Sequence, residues 1–318
     1  MVKYACRINL RSFKPMWTVF QQILILLLFV ATGYVLGKTK IIKSEHSGVL
    51  SKLLVYVFLP CNVLKTFSSR FNISYITSNW SIILLSTVIV LVTALVAFFA
   101  SKLFSKDAYE RRVFEYSTVI PNSGYMGIPL AESIFGQTGT MGIMTMALPL
   151  QIYIYTYGYA ILTKQGLKIK KLANPVMIAT AVGMLLGLCE FPMPTFVSSV
   201  LDGASACMAP ISMMLTGLVI SEFKLSKIVL NPKIYPVIAL RLVAIPLVVG
   251  AVLKLCGTDP HITAIAILLF SLPCGMNSVV FPKLVGEDCR AGAGISLVST
   301  LASAITVPIM FLIFGIQL

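Results

Sequence analysis

Ten apolar runs, each near the roughly 20 residues that a helix needs to cross bilayer hydrocarbon, leave this chain little room for anything else. They read as residues 17–36, 48–67, 80–101, 113–134, 139–163, 174–190, 200–222, 232–256, 262–285 and 291–315. The connecting loops are short, and none has the length of a soluble domain. Charged residues make up 11% of the 318 positions, less than half the ~25% usual in soluble chains. The net charge of +14 therefore belongs to loops between membrane helices and not to a nucleic-acid surface. The expected fold is an all-α polytopic membrane protein of ten spans. The first run is too long for a signal-peptide core, so it reads as an uncleaved helix. Met16 stands directly before it, and residues 1–16 are either a basic tail or an extension from an upstream start.

Two runs are broken. Span 4 contains Pro121-Asn122-Ser123-Gly124-Tyr125-Met126-Gly127-Ile128-Pro129, and span 9 contains Leu272-Pro273-Cys274-Gly275-Met276-Asn277-Ser278. Pro121 and Pro273 each remove a backbone donor and disfavour helix in the residue before them, and the neighbouring glycines loosen the chain. Pro129 suits the first turn of a restarting helix. Lipid cannot satisfy the freed backbone groups, so both breaks must be buried in protein or line a watery cavity. A matched pair of broken helices, one in each half, points to a transporter's substrate site.

The halves echo each other. Pro60 and Pro210 lie 150 residues apart, Pro121 and Pro273 152, and Gly136 and Gly286 150. This spacing divides the chain into a first five-helix repeat at 17–163, a linker at 164–173 and a second repeat at 174–318. An odd number of spans per repeat makes the two repeats inverted. The loops after odd-numbered spans hold seventeen Lys and Arg against seven on the other side. That bias puts the odd loops in the cytoplasm and both termini outside.

Crossed in the bilayer, the two breaks would present the starts of two half-helices, whose dipoles favour an anion. Asn122, Ser123, Asn277 and Ser278 add neutral donors. Of the charges within runs, Glu132 and Arg241 stand out as candidates for ion coupling or a charge network, because intramembrane charges are costly. Lys65 and Asp202, near the outer ends of spans 2 and 7, read as snorkelling side chains. Met208, Met213 and Met214 read as packing, and Tyr153, Tyr155, Tyr157 and Tyr159 alternate too quickly for one helix face. Seven scattered cysteines and two distant histidines offer no metal spacing or disulfide framework, so no metal or cofactor is expected. Nor is there a motif or carboxylate pair from which to build an enzyme.

The segments Val119-Ile-Pro-Asn-Ser-Gly-Tyr-Met-Gly-Ile-Pro-Leu130 and Leu272-Pro-Cys-Gly-Met-Asn-Ser-Val-Val-Phe-Pro-Lys283 resemble the fourth- and ninth-helix motifs of the auxin efflux carrier family. The resemblance covers essentially the whole chain. Without the long cytoplasmic loop of many plant members, it is similar to a short bacterial type. The resemblance implies a scaffold of spans 1, 2, 6 and 7, homodimerisation through it by spans 2 and 7, and a mobile domain of spans 3–5 and 8–10 that works as an elevator. It also implies a small organic anion, such as a mono- or dicarboxylate, bound in a bacterial cytoplasmic membrane amid lipid. Its site would comprise Asn122, Ser123, Gly124 and Tyr125 on one break and Gly275, Met276 and Asn277 on the other. Asn62 and Ser212 would face it from the scaffold. A sodium-coupled symporter of the bile-acid type and a non-transporting membrane sensor use the same pocket and stay open as alternatives.

Overall fold

The computed structural model describes residues 13–43, 46–164, 175–222, 224 and 229–316. The N-terminal tail up to residue 12 and nearly all of the central linker lie outside the described residues. Among the described residues there are helices and no strand. In chain order we number α1 Phe13–Lys38, α2 47–70, α3 Ile73–Phe104, α4 Ala108–Val119, α5 123–135 and α6 137–163. The second half supplies α7 Pro175–Leu188, α8 Thr195–Ser221, α9 Ile234–Leu255, α10 Pro260–Ser271, α11 Asn277–Leu284 and α12 Arg290–Ile313.

The chain is a multi-pass helical membrane protein. Among the described residues five helices are long and apolar enough to cross a membrane, and shorter apolar helices run over Ile23–Lys38, Pro175–Leu188 and Pro260–Ser271. Apolar runs of similar length thus become helices of very unequal length. Spans 4 and 9 are each cut in two, into α4 and α5 and into α10 and α11. Conversely, α3 starts seven residues ahead of its apolar run because the Asn72 side chain caps it, accepting from the Tyr75 N–H at 2.8 Å.

Proline shapes the helices locally. Three wide π turns, Leu54–Phe58, Ser123–Gly127 and Leu240–Ala244, each end two residues before a proline, at Pro60, Pro129 and Pro246. A proline ring clashes with the carbonyl four residues back and cannot donate to it; widening the preceding turn lets the helix continue. The inward face of α3 is small or polar (Ser86, Thr93, Ala97, Ser101), whereas Leu84, Val88, Leu91, Leu95 and Phe99 are exposed. That is the pattern of a helix whose outer face meets lipid tails.

Two helix pairs are joined backbone to backbone through glycines. A Cβ on Gly33 of α1 would lie 2.0 Å from the Met214 carbonyl oxygen of α8, and one on Gly217 of α8 would lie 1.9 Å from that of Val30. In the other pair, Gly183 of α7 packs on Phe67 and the Leu64 backbone of α2, and Gly187 on the Phe67 and Phe71 carbonyls. Gly33 and Gly183, Gly37 and Gly187, and the partners Leu64 and Met214 are each 150 residues apart. Left-handed backbone recurs at the same offset, at Lys40 and Glu190 (φ 58° and 49°) and at Gly136 and Gly286 (φ 65° and 73°). Gly136 turns α5 into α6, and Gly286 closes α11, where only glycine takes this conformation without strain. Around these pairs the buried side chains form one contiguous core. Its centre is α10 and the break after it, where every residue from 263 to 276 is buried.

Candidate functional site

The two breaks meet. Pro121 and Cys274 form an antiparallel bridge, in which the Asn122 N–H donates to the Pro273 carbonyl at 2.8 Å and the Gly275 N–H donates to the Ile120 carbonyl at 2.9 Å. Each unwound segment thereby satisfies the other, which is how irregular backbone survives at this depth. The segments pack closely at two glycines: a Cβ on Gly127 would lie 2.5 Å from the Leu272 side chain, and one on Gly275 3.0 Å from that of Ile120 and 3.3 Å from the Pro121 carbonyl oxygen. From α12, the Ser299 hydroxyl accepts the Cys274 N–H at 3.1 Å, and Ser296 donates to the Met276 sulfur.

Arg241 holds the crossing from behind. It lies in the π turn of α9, fully buried, and donates only to carbonyls: Leu272 at 3.3 Å, Thr118 at 3.3 Å, Val119 at 3.4 Å and Leu269 at 3.2 Å. Those carbonyls end α4 and α10. Each helix C-terminus carries roughly half a negative charge, so one guanidinium balances two of them. The starts of α5 and α11 carry the opposite half-charges, and they border a cavity on the other side of the crossing.

That cavity measures about 60 Å³. Seven of the expected site residues (Asn122, Ser123, Gly124, Tyr125, Gly275, Met276 and Asn277) line it, with Pro121 of the bridge. Leu59 and Val63 of α2 and Val176 of α7 close one wall; Ile143, Gln151 and Tyr155 of α6 close another. Asn122 is buried, and the Gln151 side-chain oxygen is buried without a hydrogen-bond partner. Among the described residues no carboxylate borders the cavity. Its capacity is a few waters, well below the 300 Å³ or more of a ligand pocket.

The expected scaffold residues part company. The Ser212 hydroxyl of α8 shares its proton between the Ala209 carbonyl at 3.0 Å and the Tyr125 carbonyl at 3.2 Å, the latter being the group four residues before Pro129 that the proline cannot pair. Asn62 is buried with its side-chain oxygen unpartnered, but it borders a second, 20 Å³ pocket with Lys65, Thr66, Glu132, Gln137 and Thr140. Glu132 is exposed at that pocket, so the expected intramembrane charge is not a buried one. Lys65 and Asp202, read as snorkelling side chains, form a partly exposed ion pair of 2.7 Å between α2 and α8. Pro129 lies in the first regular α turn of α5, directly after its π turn, and Pro273 supplies the bridging carbonyl. Met208 and Met213 are buried packing residues. The four tyrosines of α6 divide into two faces: Tyr155 and Tyr159 pack on Phe281 of α11, while Tyr153 and Tyr157 stack on each other at 5.4 Å.

One buried charge escaped the sequence reading. Glu115 of α4 is buried and bonded to Tyr157. Its signal was a second carboxylate, besides Glu132, inside the fourth apolar run.

Comparison with known proteins gives a consistent picture. The family described as "Membrane transport protein" matches residues 18–172 and, a second time, 163–311. A putative malonate transporter of Rhizobium meliloti is 24% identical over 290 residues, 86% of this chain and 89% of the relative. An uncharacterized transporter of Methanocaldococcus jannaschii is 23% identical over 212 residues, 63% of this chain and 68% of the relative. The uncharacterized transporter YfdV of Escherichia coli is 18% identical over 302 residues, 91% of this chain and 95% of the relative.

Proposed function

Because the chain belongs to the membrane transport protein family, that of the auxin efflux carriers, we propose that it is a secondary transporter exporting a small organic anion, a mono- or dicarboxylate, across a bacterial cytoplasmic membrane. The observation that carries the anion is the cavity at the paired breaks. Two helix starts, two asparagines and a serine border it, and among the described residues no carboxylate does. With Arg241 balancing the two helix ends behind the crossing, the two half-positive starts in front are left for a ligand of about one negative charge. The relative named as a putative malonate transporter supports the carboxylate class.

In this reading the ten runs cross the membrane as two inverted five-helix repeats, with both termini outside. The recurrence of glycine contacts and left-handed residues at an offset of 150 supports the repeat. The scaffold is α1, α2, α7 and α8, and the backbone contacts through Gly33, Gly217, Gly183 and Gly187 support its rigidity. The homodimer forms through α2 and α8. The remaining helices carry the crossing past the scaffold, and the small cavity belongs to a state in which Leu59, Val63 and Val176 lie tight against it. Substrate enters when that wall moves away.

The test is a thermal-shift screen of the purified protein against carboxylates, followed by flux of labelled malonate in proteoliposomes. Asn122→Ala and Asn277→Ala are each expected to weaken carboxylate binding about tenfold or more, since a hydrogen bond to a charged group contributes ~1.5–3 kcal/mol. Unchanged affinity in both variants would remove the site. Binding without flux in the native protein would favour a sensor over a transporter.

A further inference from the structure

Glu115 is 7% exposed, six residues before Pro121 on α4. Its carboxylate oxygen accepts a 2.8 Å hydrogen bond from the Tyr157 hydroxyl of α6, and no cation lies within ion-pair distance of it among the described residues. A buried carboxylate whose bonded partner is a neutral phenol is an unusual expense for a membrane protein. Glutamine would make the same bond at lower cost.

The carboxyl is reachable. Glu115 and Tyr157 line an open cavity of about 820 Å³ between α3, α4 and α6. The titratable groups facing Glu115 there are Lys102 from α3, Arg111 and Arg112 from α4, and Tyr153, Tyr157 and Lys164 from α6. Most of the cations are held elsewhere. The Lys102 ammonium sits 3.8 Å over the Phe98 ring, Arg111 bonds the Asp107 and Lys106 carbonyls, and Lys164 pairs with Glu287 at 2.8 Å. The carboxyl is therefore enclosed by protein on one side and open to water on the cavity side, where a proton can reach it and leave it.

Resting on the transport reading above, we propose that Glu115 is a proton-binding site that couples transport to the pH gradient. A proton from the water of one compartment adds to the carboxylate to give the neutral acid and leaves to water again once the mobile helices have carried it across, while Tyr157 donates its hydrogen bond to the carboxyl in either state. Glu115 stands on the helix that leads into the first break, and Tyr157 stands on the π turn that also carries Tyr155 into the substrate cavity. A neutral carboxyl reduces by one the negative charge that the mobile helices carry with a bound anion through low-dielectric surroundings.

Two measurements test this. The first is infrared titration of the purified protein, which needs no substrate. A carboxylic-acid C=O band is expected to grow as buffer is made acidic, to vanish in Glu115→Gln, and to move its midpoint in Tyr157→Phe. The second is malonate flux in proteoliposomes with and without an imposed pH gradient. The native protein is expected to be accelerated by the gradient, Glu115→Gln to lose that acceleration, and Glu115→Asp to recover part of it. A native protein with no titrating band at this position, or a Glu115→Gln variant that still responds to the gradient, overturns the proposal. If Glu115→Gln fails to fold, an unmoved midpoint in Tyr157→Phe overturns it instead. Absence of malonate flux in the native protein would count against the substrate class alone, and the infrared titration would still decide Glu115.

Discussion

Alanine at Gly217 is expected to cost the folded protein more than about 3 kcal/mol, the upper range for overpacked cores, while alanine at Gly203 in the same helix leaves stability within ~0.5 kcal/mol or raises it slightly. The two substitutions add the same methyl group. At Gly203 nothing lies within 4 Å of it. At Gly217 it would stand 1.9 Å from the Val30 carbonyl oxygen and 2.6 Å from the Tyr34 nitrogen, both main-chain atoms. Overpacking by a side chain is relieved when neighbouring side chains turn aside; a neighbouring backbone has no such freedom, so α1 and α8 would have to separate. Helix propensity alone favours alanine over glycine by ~0.5–1 kcal/mol, so any loss at Gly217 is steric. Gly33→Ala should behave like Gly217→Ala for the same reason, with the Met214 carbonyl oxygen 2.0 Å away. Thermal melts of detergent-solubilised protein followed by size exclusion would measure all three. Wild-type melting of Gly217→Ala would mean that α1 and α8 do not meet backbone to backbone.

The same contacts show what could be read from the sequence. The breaks were legible because proline, glycine and amides inside an apolar run have few other uses in a bilayer. The offset of 150 was visible in Pro60 and Pro210 and in Gly136 and Gly286, and the latter pair share a left-handed conformation. The glycine pairs Gly33 with Gly183 and Gly37 with Gly187 carry the same offset, yet glycine is common in membrane helices and these pairs stand out only once their contacts are known. Facing was less legible than depth. Glu132 and Glu115 both lie inside one apolar run, but a π turn and the break separate them, and helical periodicity cannot be carried across either. One therefore faces outward while the other is buried. Partnerships between distant segments were not legible at all. That Ser212 takes up the carbonyl freed by Pro129 depends on how α8 lies against α5, and no local pattern encodes it.

Arg241 is the extreme case of such a partnership, and its removal should be the most damaging single change at the crossing. Arg241→Leu is expected to destabilise the protein by about 3–5 kcal/mol, the range for breaking a buried charge arrangement, and to leave little folded material. Among the described residues the guanidinium is the one side chain that donates to the carbonyls of Thr118, Val119, Leu269 and Leu272, and leucine can donate to none of them. The bonds are 3.2–3.4 Å, long for hydrogen bonds, so much of the effect is the charge itself facing two helix ends. Arg241→Lys separates the two contributions. Lysine keeps the positive charge but replaces a planar fork of five donors with a single ammonium. If charge balance dominates, Arg241→Lys should fold and lose less than half of what Arg241→Leu loses. If the fork dominates, lysine and leucine should be equally harmful. The distinction bears on binding as well. A cation that merely ties carbonyls together has no effect on the far side of the crossing, whereas one that cancels two helix ends leaves the starts of α5 and α11 uncompensated toward the cavity. In that case a folded Arg241→Lys protein retains carboxylate affinity, which the thermal-shift screen reads directly. A folded lysine variant that has lost all affinity would show that the shape of the crossing, and not its charge balance, selects the anion.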